Sequence, residues 1–397
     1  MWLLLAHARN GEIAMMSVKD SVLQLPQGDF HLVRLPKRAV ELLRAWDAAD
    51  EYVLTHLFEQ GNLTPQSRLL IFNDSFGGLA VPLQQWQPTA ISDSYLSQQA
   101  TRLNLTANGF AAQAVNLRTS LDLPTALFDV VIIKAPKTLA YLEDFLIRLQ
   151  PCLHDKTQLI VAGMVKNLPA KVWTLVEQLI GKTTTSLARK KARLIFATPD
   201  AGRDVPQNRY PVCYPLENST YQLVNHANVF SRDSLDIGTR FLLAHLPKPN
   251  AHDEIKQIVD LGCGNGVVGL LLAEHYPEAT LHFVDESFMA IASAQTNFQQ
   301  SLNPAQGKFY VCDGLTEFAS DSMDLIVCNP PFHQQQTLGD QIAWSLFKHA
   351  KRVLKQGGQF WVIGNRHLAY QQSLKKLFTQ PVQVAANAKF EIVKMRK

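Results

Sequence analysis

The sequence predicts an α/β protein made of two tandem Rossmann-like domains, the first of them degenerate. Short apolar runs alternate with helical stretches between residues 68 and 162, the pattern of a parallel sheet covered by helices. The same series returns between residues 258 and 328, as an internal duplication would make it. In the second series a glycine-rich turn, Gly262-Cys263-Gly264-Asn265-Gly266, follows a strand and opens a helix, where a ligand can approach the backbone closely.

In the first series Arg68 to Phe72 reads as a buried strand, Asn73 to Gly78 as a turn, and Leu79 to Leu83 as the opening of a helix. Thr89 to Ser92 is a strand ending at Asp93, with a helical stretch running on to about Asn108. Asp129 to Lys134 is a strand closed by Ala135-Pro136, Leu139 to Leu149 is helical, and Gln158 to Ala162 returns as strand. In the second series the strands are Ile258 to Leu261, Leu281 to Val284 with Asp285 at the end, and Asp324 to Cys328; Val267 to His275 is the first helix. Aligned this way, Asn329-Pro330-Pro331-Phe332 falls on Lys134-Ala135-Pro136-Lys137. The first copy lacks the leading glycines of the turn and carries Lys in place of Asn and Phe, so it keeps the scaffold without the chemistry. The expected layout is an extension over residues 1–24, poorly ordered at least at its start, and a degenerate domain over 25–198. A Pro- and Gly-containing linker over 199–211 then leads to an active domain over 212–397.

Composition permits this and excludes little. The 397 residues are 47% hydrophobic and only 18% charged, so the chain can bury two cores. A net charge of +4 with pI near 8.7 fits a nucleic-acid partner but is too mild to argue for one. Cys152, Cys213, Cys263, Cys312 and Cys328 form no C-x-x-C pair and read as buried thiols of a reducing compartment, with no structural metal. The apolar Trp2 to Ala6 is too short for a signal peptide or membrane anchor, so a cytoplasmic protein is expected. Between Lys182 and Arg193 lie Arg189, Lys190 and Lys191 with no acid, a pattern that fits either phosphate contacts or a solvated strand edge.

Two loops carry the chemistry. Asp260 and the Gly262, Gly264, Gly266 turn, with Asp285 after the next strand, suit a nucleotide whose ribose hydroxyls donate to a carboxylate, and alone they also fit a dinucleotide site. Asp313 ends a further strand and suits an adenine amino group. Asn329-Pro330-Pro331-Phe332 stops an apolar run on a rigid segment, offering an amide, carbonyls that no ladder can use and an aromatic face: a seat for a planar ring bearing an amino group.

In that order on successive strand ends, these elements resemble the S-adenosylmethionine-dependent amino methyltransferases. With Asn228-Val229-Phe230-Ser231-Arg232, Asp236-Ile237-Gly238, His333-Gln334-Gln335 and the degenerate first half, the chain is similar to the RsmC/RlmG family of ribosomal RNA guanine-N2 methyltransferases. Trp46-Asp47-Ala48-Ala49-Asp50-Glu51-Tyr52, Ala188 to Leu194 and Gly364 to Leu368 bring it nearer the large-subunit branch than the small-subunit one, from about Ala45 to Lys394. The resemblance implies two class I methyltransferase folds, S-adenosylmethionine as cofactor and the N2 amine of a guanine in 23S rRNA as acceptor, worked on by a monomer without membrane attachment. It implies that Gly262, Gly264 and Gly266 hold the methionine moiety, Asp285 the ribose and Asp313 the adenine. Asn329 and Pro330 would orient the amine and Phe332 stack on the base, while Arg189, Lys190, Lys191 and Arg193 of the first domain contact RNA. A 16S rRNA enzyme, a protein-glutamine or DNA-adenine methyltransferase and a non-catalytic assembly factor are the alternatives. The protein and DNA enzymes usually have Tyr where Phe332 stands and do not require a degenerate twin.

Overall fold

Apolar runs flanked by turn residues become the central strands of two seven-stranded sheets in the computed structural model. The structure describes residues 21–37, 41, 43–200, 202–250, 254–330, 336–368 and 370–397; the expectations for residues before 21 and for Phe332 lie outside them. The first domain opens with a hairpin of β1 (Val22–Leu25) and β2 (Gly28–His31), followed by α1 (Ala48–Gln60), β3 (Leu69–Phe72) and β4 (Thr89–Ser92). Next come α2 (Tyr95–Ala107), β5 (Asn116–Thr119), β6 (Val130–Lys134), α3 (Leu139–Arg148) and β7 (Gln158–Met164), then α4 (Ala170–Leu179), β8 (Thr183–Thr185) and β9 (Ala192–Ala197). The second domain repeats the plan. A hairpin of β10 (Val212–Pro215) and β11 (Gln222–Asn225) leads into α5 (Ile237–Leu243), β12 (Gln257–Leu261), α6 (Val267–His275), β13 (Thr280–Asp285) and α7 (Phe288–Ser301). After these come β14 (Gly307–Val311), β15 (Met323–Cys328), α8 (Gln336–Val353), β16 (Leu354–Asn365), α9 (Tyr370–Leu374), β17 (Thr379–Ala386) and β18 (Phe390–Arg396).

The sheet orders are β5-β4-β3-β6-β7-β9-β8 and β14-β13-β12-β15-β16-β18-β17. These are one topology twice, with five parallel strands and an antiparallel pair closing one side. Register fixes the equivalences. Phe72 pairs with Ile133 as Leu261 pairs with Cys328, so Asn73 takes the place of Gly262 and Lys134 that of Asn329. The reversal of strand order lies between β12 and β15 in the second domain, where ligands of open α/β sheets bind.

Three expectations are corrected. β1 begins at Val22, inside the stretch read as an extension, because Leu23 is 1% exposed and seats the hairpin in the first core. No α-helix forms over Leu79 to Leu83. That segment is a run of turns ending in a short 3-10 turn, Gln84–Trp86, since Pro82 denies it a backbone donor. Cys213 is exposed, because it sits on the two-stranded β10–β11 hairpin rather than in either sheet; the other four cysteines are buried.

The linker region is docked. Tyr210 is buried in the first domain's core and its hydroxyl donates to Glu143 on α3 at 2.6 Å, while Asn208 donates to Asp144 at 2.7 Å. Ala227, Val229 and Met289 of the second domain pack into that same core. The two domains also meet through equivalent loops in a reciprocal manner: Tyr95 N–H donates to Glu286 O at 2.9 Å and Phe288 N–H to Asp93 O at 3.0 Å, around a Ser94 to Ser287 bridge. This is the self-complementary geometry of a two-fold interface, made within one chain.

Candidate functional site

The C-terminal ends of β12, β13 and β15 open into a cavity of about 810 Å³. Its wall is made by both domains, since Leu96, Lys137 and Thr138 of the first stand opposite Gly262, Gly264, Asp285, Asp313, Asn329 and Pro330 of the second. Of the proposed cofactor residues, Asp260 also lines it. Gly266 does not, and the reason is geometric. Its φ of 79° turns the chain into α6, and a Cβ there would lie 2.7 Å from Ala294 Cβ on α7, so it lets two helices pack. Gly264, at φ 54°, faces open space in which an added Cβ would meet nothing within 4 Å.

The carboxylates divide the work. Asp260 is 3% exposed and accepts from Gly269 N–H at 2.8 Å, tying the end of β12 to α6; burial pushes its carboxyl up to about 7. Asp285 accepts from Gly264 N–H and from Ser287 N–H, each at 3.0 Å, so it braces the glycine turn while lining the cavity; burial raises its carboxyl. Asp313 sits in a part-buried position two residues beyond β14, raised by burial and lowered by His349. With Asp236 and Glu286 also in the wall, acids outnumber the cations Lys137 and Arg232, and Arg232 is already paired with Asp233 at 2.5 Å. The cavity therefore suits a cationic occupant.

Asn329 ends β15 with its amide held on one side only. Its Nδ2 donates to Thr239 Oγ1 at 3.0 Å, and that hydroxyl donates to Asp236 Oδ2 at 3.3 Å, so the amide cannot be turned over. Its Oδ1 is buried without a hydrogen-bond partner among the described residues. An unsatisfied buried acceptor costs stability and is seldom left without a reason. Asp236 also caps α5, accepting from Thr239 N–H at 2.8 Å. Their hold on Asn329 had no signal in the chain, because it joins positions 90 residues apart. Asn265 was also missed as a brace: its amide donates to Asn225 Oδ1 at 2.9 Å, and Asn297 donates to its carbonyl at 2.9 Å, anchoring the glycine turn.

The basic stretch lies elsewhere. Arg189, Lys190 and Lys191 are exposed on the tight turn between β8 and β9, with Lys190 and Lys191 at φ 49° and 63°. Met164 at the C-terminal end of β7 pairs with Ala192, which puts this turn at the site-bearing edge of the first sheet. Two of its cations are engaged: Lys190 with Glu51 at 2.6 Å, and Arg189 with Glu59 at 3.5 Å and over the Tyr52 ring at 5.0 Å. Arg193 is part-buried over the Trp173 ring at 5.7 Å, and Lys191 has no ionic partner among the described residues. No helix of the described residues is long and apolar enough to cross a membrane.

Comparison with known proteins agrees with this plan. The family model described as RLMG N-terminal domain matches residues 20–201, and the Methyltransferase small domain matches residues 220–394. A solved structure titled T. Thermophilus 16S rRNA N2 G1207 methyltransferase (RsmC) in complex with AdoMet and Guanosine is similar in fold, with a TM-score of 0.73 at 20% identity, covering 95% of this chain and 97% of that one. The chain is 47% identical to Ribosomal RNA large subunit methyltransferase G of Ectopseudomonas mendocina over 94% of its own length and 98% of the relative's. It is 44% identical to the protein of that name from Streptomyces coelicolor, over 94% and 99%. Two class I methyltransferase folds in tandem, with sequence likeness along nearly the whole chain, place it in the ribosomal RNA large subunit methyltransferase G family.

Proposed function

We propose that this chain methylates the exocyclic N2 amine of a guanine in 23S rRNA, with S-adenosylmethionine as cofactor. The observation that carries this reading is the buried, unpartnered Oδ1 of Asn329 on the wall of an acidic cavity beside an open glycine turn. The residues present fit the cofactor: Gly262 and Gly264 leave room for close backbone approach, Asp285 and Asp313 accept from hydroxyl and amino groups, and the excess of carboxylates balances positive charge. When bound, S-adenosylmethionine supplies an electrophilic methyl group on a sulfonium.

The remaining work is done by the chain. The N2 lone pair of guanine is delocalised into the ring and must be localised to act as a nucleophile. Asn329 Oδ1 and the Pro330 carbonyl accept the two N–H groups, and the Thr239–Asp236 pair holds the amide oriented before the base arrives, so little reorganisation is needed. Phe332 supplies an aromatic face worth about 1 to 3 kcal/mol of stacking, which offsets part of the cost of taking the base out of its stack. Lys137, from the first domain, stands at the rim as an exposed cation, and the turn of Arg189, Lys190, Lys191 and Arg193 gives further contacts to RNA. Both walls come from one chain, which supports a monomer; four buried thiols support the cytoplasm.

The test is single-turnover methyl transfer from labelled cofactor to large-subunit rRNA, with the product nucleotide identified by mass spectrometry. N2-methylguanine in 23S rRNA is expected. Methyl on 16S rRNA, on a protein glutamine or on DNA adenine would replace this reading with one of its rivals.

A further inference from the structure

Asp93 sits at the first domain's second strand end, in the loop equivalent to the one that carries Glu286. It is 4% exposed and holds four donors: Ser120 Oγ at 2.7 Å and Met289 N–H at 2.8 Å on Oδ1, Asn228 Nδ2 at 2.8 Å and Ser287 Oγ at 2.7 Å on Oδ2. Three of the four belong to the second domain. A carboxylate of the twin is therefore built into the N-terminus of α7, where free N–H groups and the helix dipole favour negative charge.

From there a short path leads to the cofactor site. Ser287, whose hydroxyl donates to Asp93, gives its own N–H to Asp285 Oδ1 at 3.0 Å, and Asp285 Oδ2 receives Gly264 N–H at 3.0 Å. On the other side of Asp285, Glu286 is held by Ser94, whose hydroxyl donates to Glu286 Oε2 at 2.5 Å, and by Tyr95 N–H on its carbonyl at 2.9 Å. All four groups that meet the Asp93 oxygens are donors, as a carboxylate requires.

We propose that Asp93 is a positioning residue for the cofactor: through Ser287 it fixes the Asp285 carboxylate and the glycine turn, so that the degenerate domain sets the cofactor affinity of the active one. The proposal rests on the cofactor reading above. It assigns the twin a role at the site that is separate from RNA contact and from general stability.

Asn is isosteric with Asp but turns one oxygen into an NH2 group that must face a donor, either Met289 N–H or Asn228 Nδ2. The full-length chain, free of RNA, would be titrated calorimetrically with S-adenosylmethionine as parent, Asp93→Asn, Asp285→Asn and the double variant, with kcat on rRNA measured at saturating cofactor. Asp93→Asn should weaken cofactor binding about tenfold, the order expected for losing a charge-assisted hydrogen bond. Turnover at saturation should stay within about twofold, since the acceptor side is untouched. In the Asp285→Asn background the further loss should vanish, because the two act through one path. Tyr210→Phe, which removes a contact of the docked linker that does not reach Asp285, should leave cofactor binding unchanged. Ser287→Ala keeps the Asp93 carboxylate but removes the hydroxyl that joins it to this loop, together with the cap that hydroxyl gives Ala290 N–H at 3.0 Å, and should reproduce the weakening if Asp93→Asn does not fold. Unchanged affinity in both Asp93→Asn and Ser287→Ala, multiplicative effects in the double variant, or equal weakening by Tyr210→Phe would each overturn the proposal. A parent chain that does not bind the cofactor would instead overturn the reading on which it rests.

Discussion

At the end of the fourth strand in the sheet the two domains hold the same geometry and opposite chemistry. In the second, Asn329 is gripped by Thr239 from the start of α5, and its buried Oδ1 is left without a partner among the described residues. In the first, Lys134 occupies that position, and its ammonium is clasped by Asp47 at 2.6 Å and Asp50 at 2.5 Å from the start of α1. Burial opposes charge on Lys134, but the two carboxylates more than offset this and raise it; burial lifts Asp50 to about 6 against the pull of Lys134. The glycine turn differs too. Gly264 faces open space beside the cavity, whereas the first domain has turns whose Leu79 and Ala80 N–H groups are taken by Asp74 at 3.0 and 2.9 Å. Where the second domain leaves a polar atom of Asn329 unpartnered, the first satisfies its counterpart with its own carboxylates.

The largest expected effect tests the open acceptor. Asn329→Ala should lower the single-turnover transfer rate by about 10²-fold or more, as for other preorganised hydrogen bonds, while calorimetry finds cofactor affinity much less changed. Near-normal transfer with cofactor saturating would erase the distinction between the two loops.

Lys134→Ala should act on stability and not on chemistry. It strands a buried carboxylate, which costs roughly 3–5 kcal/mol in other buried pairs and would appear as a lower denaturation midpoint of the full chain. The paired change Lys134→Asn with Asp50→Thr copies the Asn329–Thr239 arrangement and should recover much of that loss. Calorimetry should still count one cofactor per chain, in the parent and in this variant, because Asp74 continues to fill the N–H groups of the first turn. Two would break the comparison.

A smaller effect separates the paired loops between the domains. Ser94 Oγ donates to Glu286 Oε2 at 2.5 Å, but the Glu286 side chain is exposed and water screens it. Glu286→Gln keeps an acceptor for Ser94 and should leave the denaturant midpoint nearly unchanged at acid and at neutral pH; a large shift would show that this loop carries more stability than an exposed contact can. The smallest effect concerns the basic turn. Arg189 and Lys190 already have Glu59 and Glu51, so changing Arg189, Lys190 and Lys191 together to Ala should reduce the salt slope of RNA binding by about one, the share of Lys191, instead of three. An unchanged slope would make this turn a solvated edge.

The order of strands and helices, the duplication and the loss of the leading glycines in the first copy are local matters, set by runs of apolar residues, by Pro and Gly, and by spacing; they were legible in the chain alone. Pro82 shows the same rule misread, since the apolar pattern of Leu79 to Leu83 promised a helix that a missing donor denies. The phrases Trp46 to Tyr52 and Ala188 to Leu194 stood out separately, and only folding reveals that they touch, through Glu51 and Lys190 and through the Arg189 guanidinium over the Tyr52 ring. Which acceptor stays open, which carboxylate is spent on a neighbour's N–H, and that Asp93 serves the other domain depend on groups far apart in sequence meeting at hydrogen-bond distance. A chain carries no local mark of such meetings, because burial and register, not residue type, decide whether a polar atom is satisfied by the protein or left for a ligand.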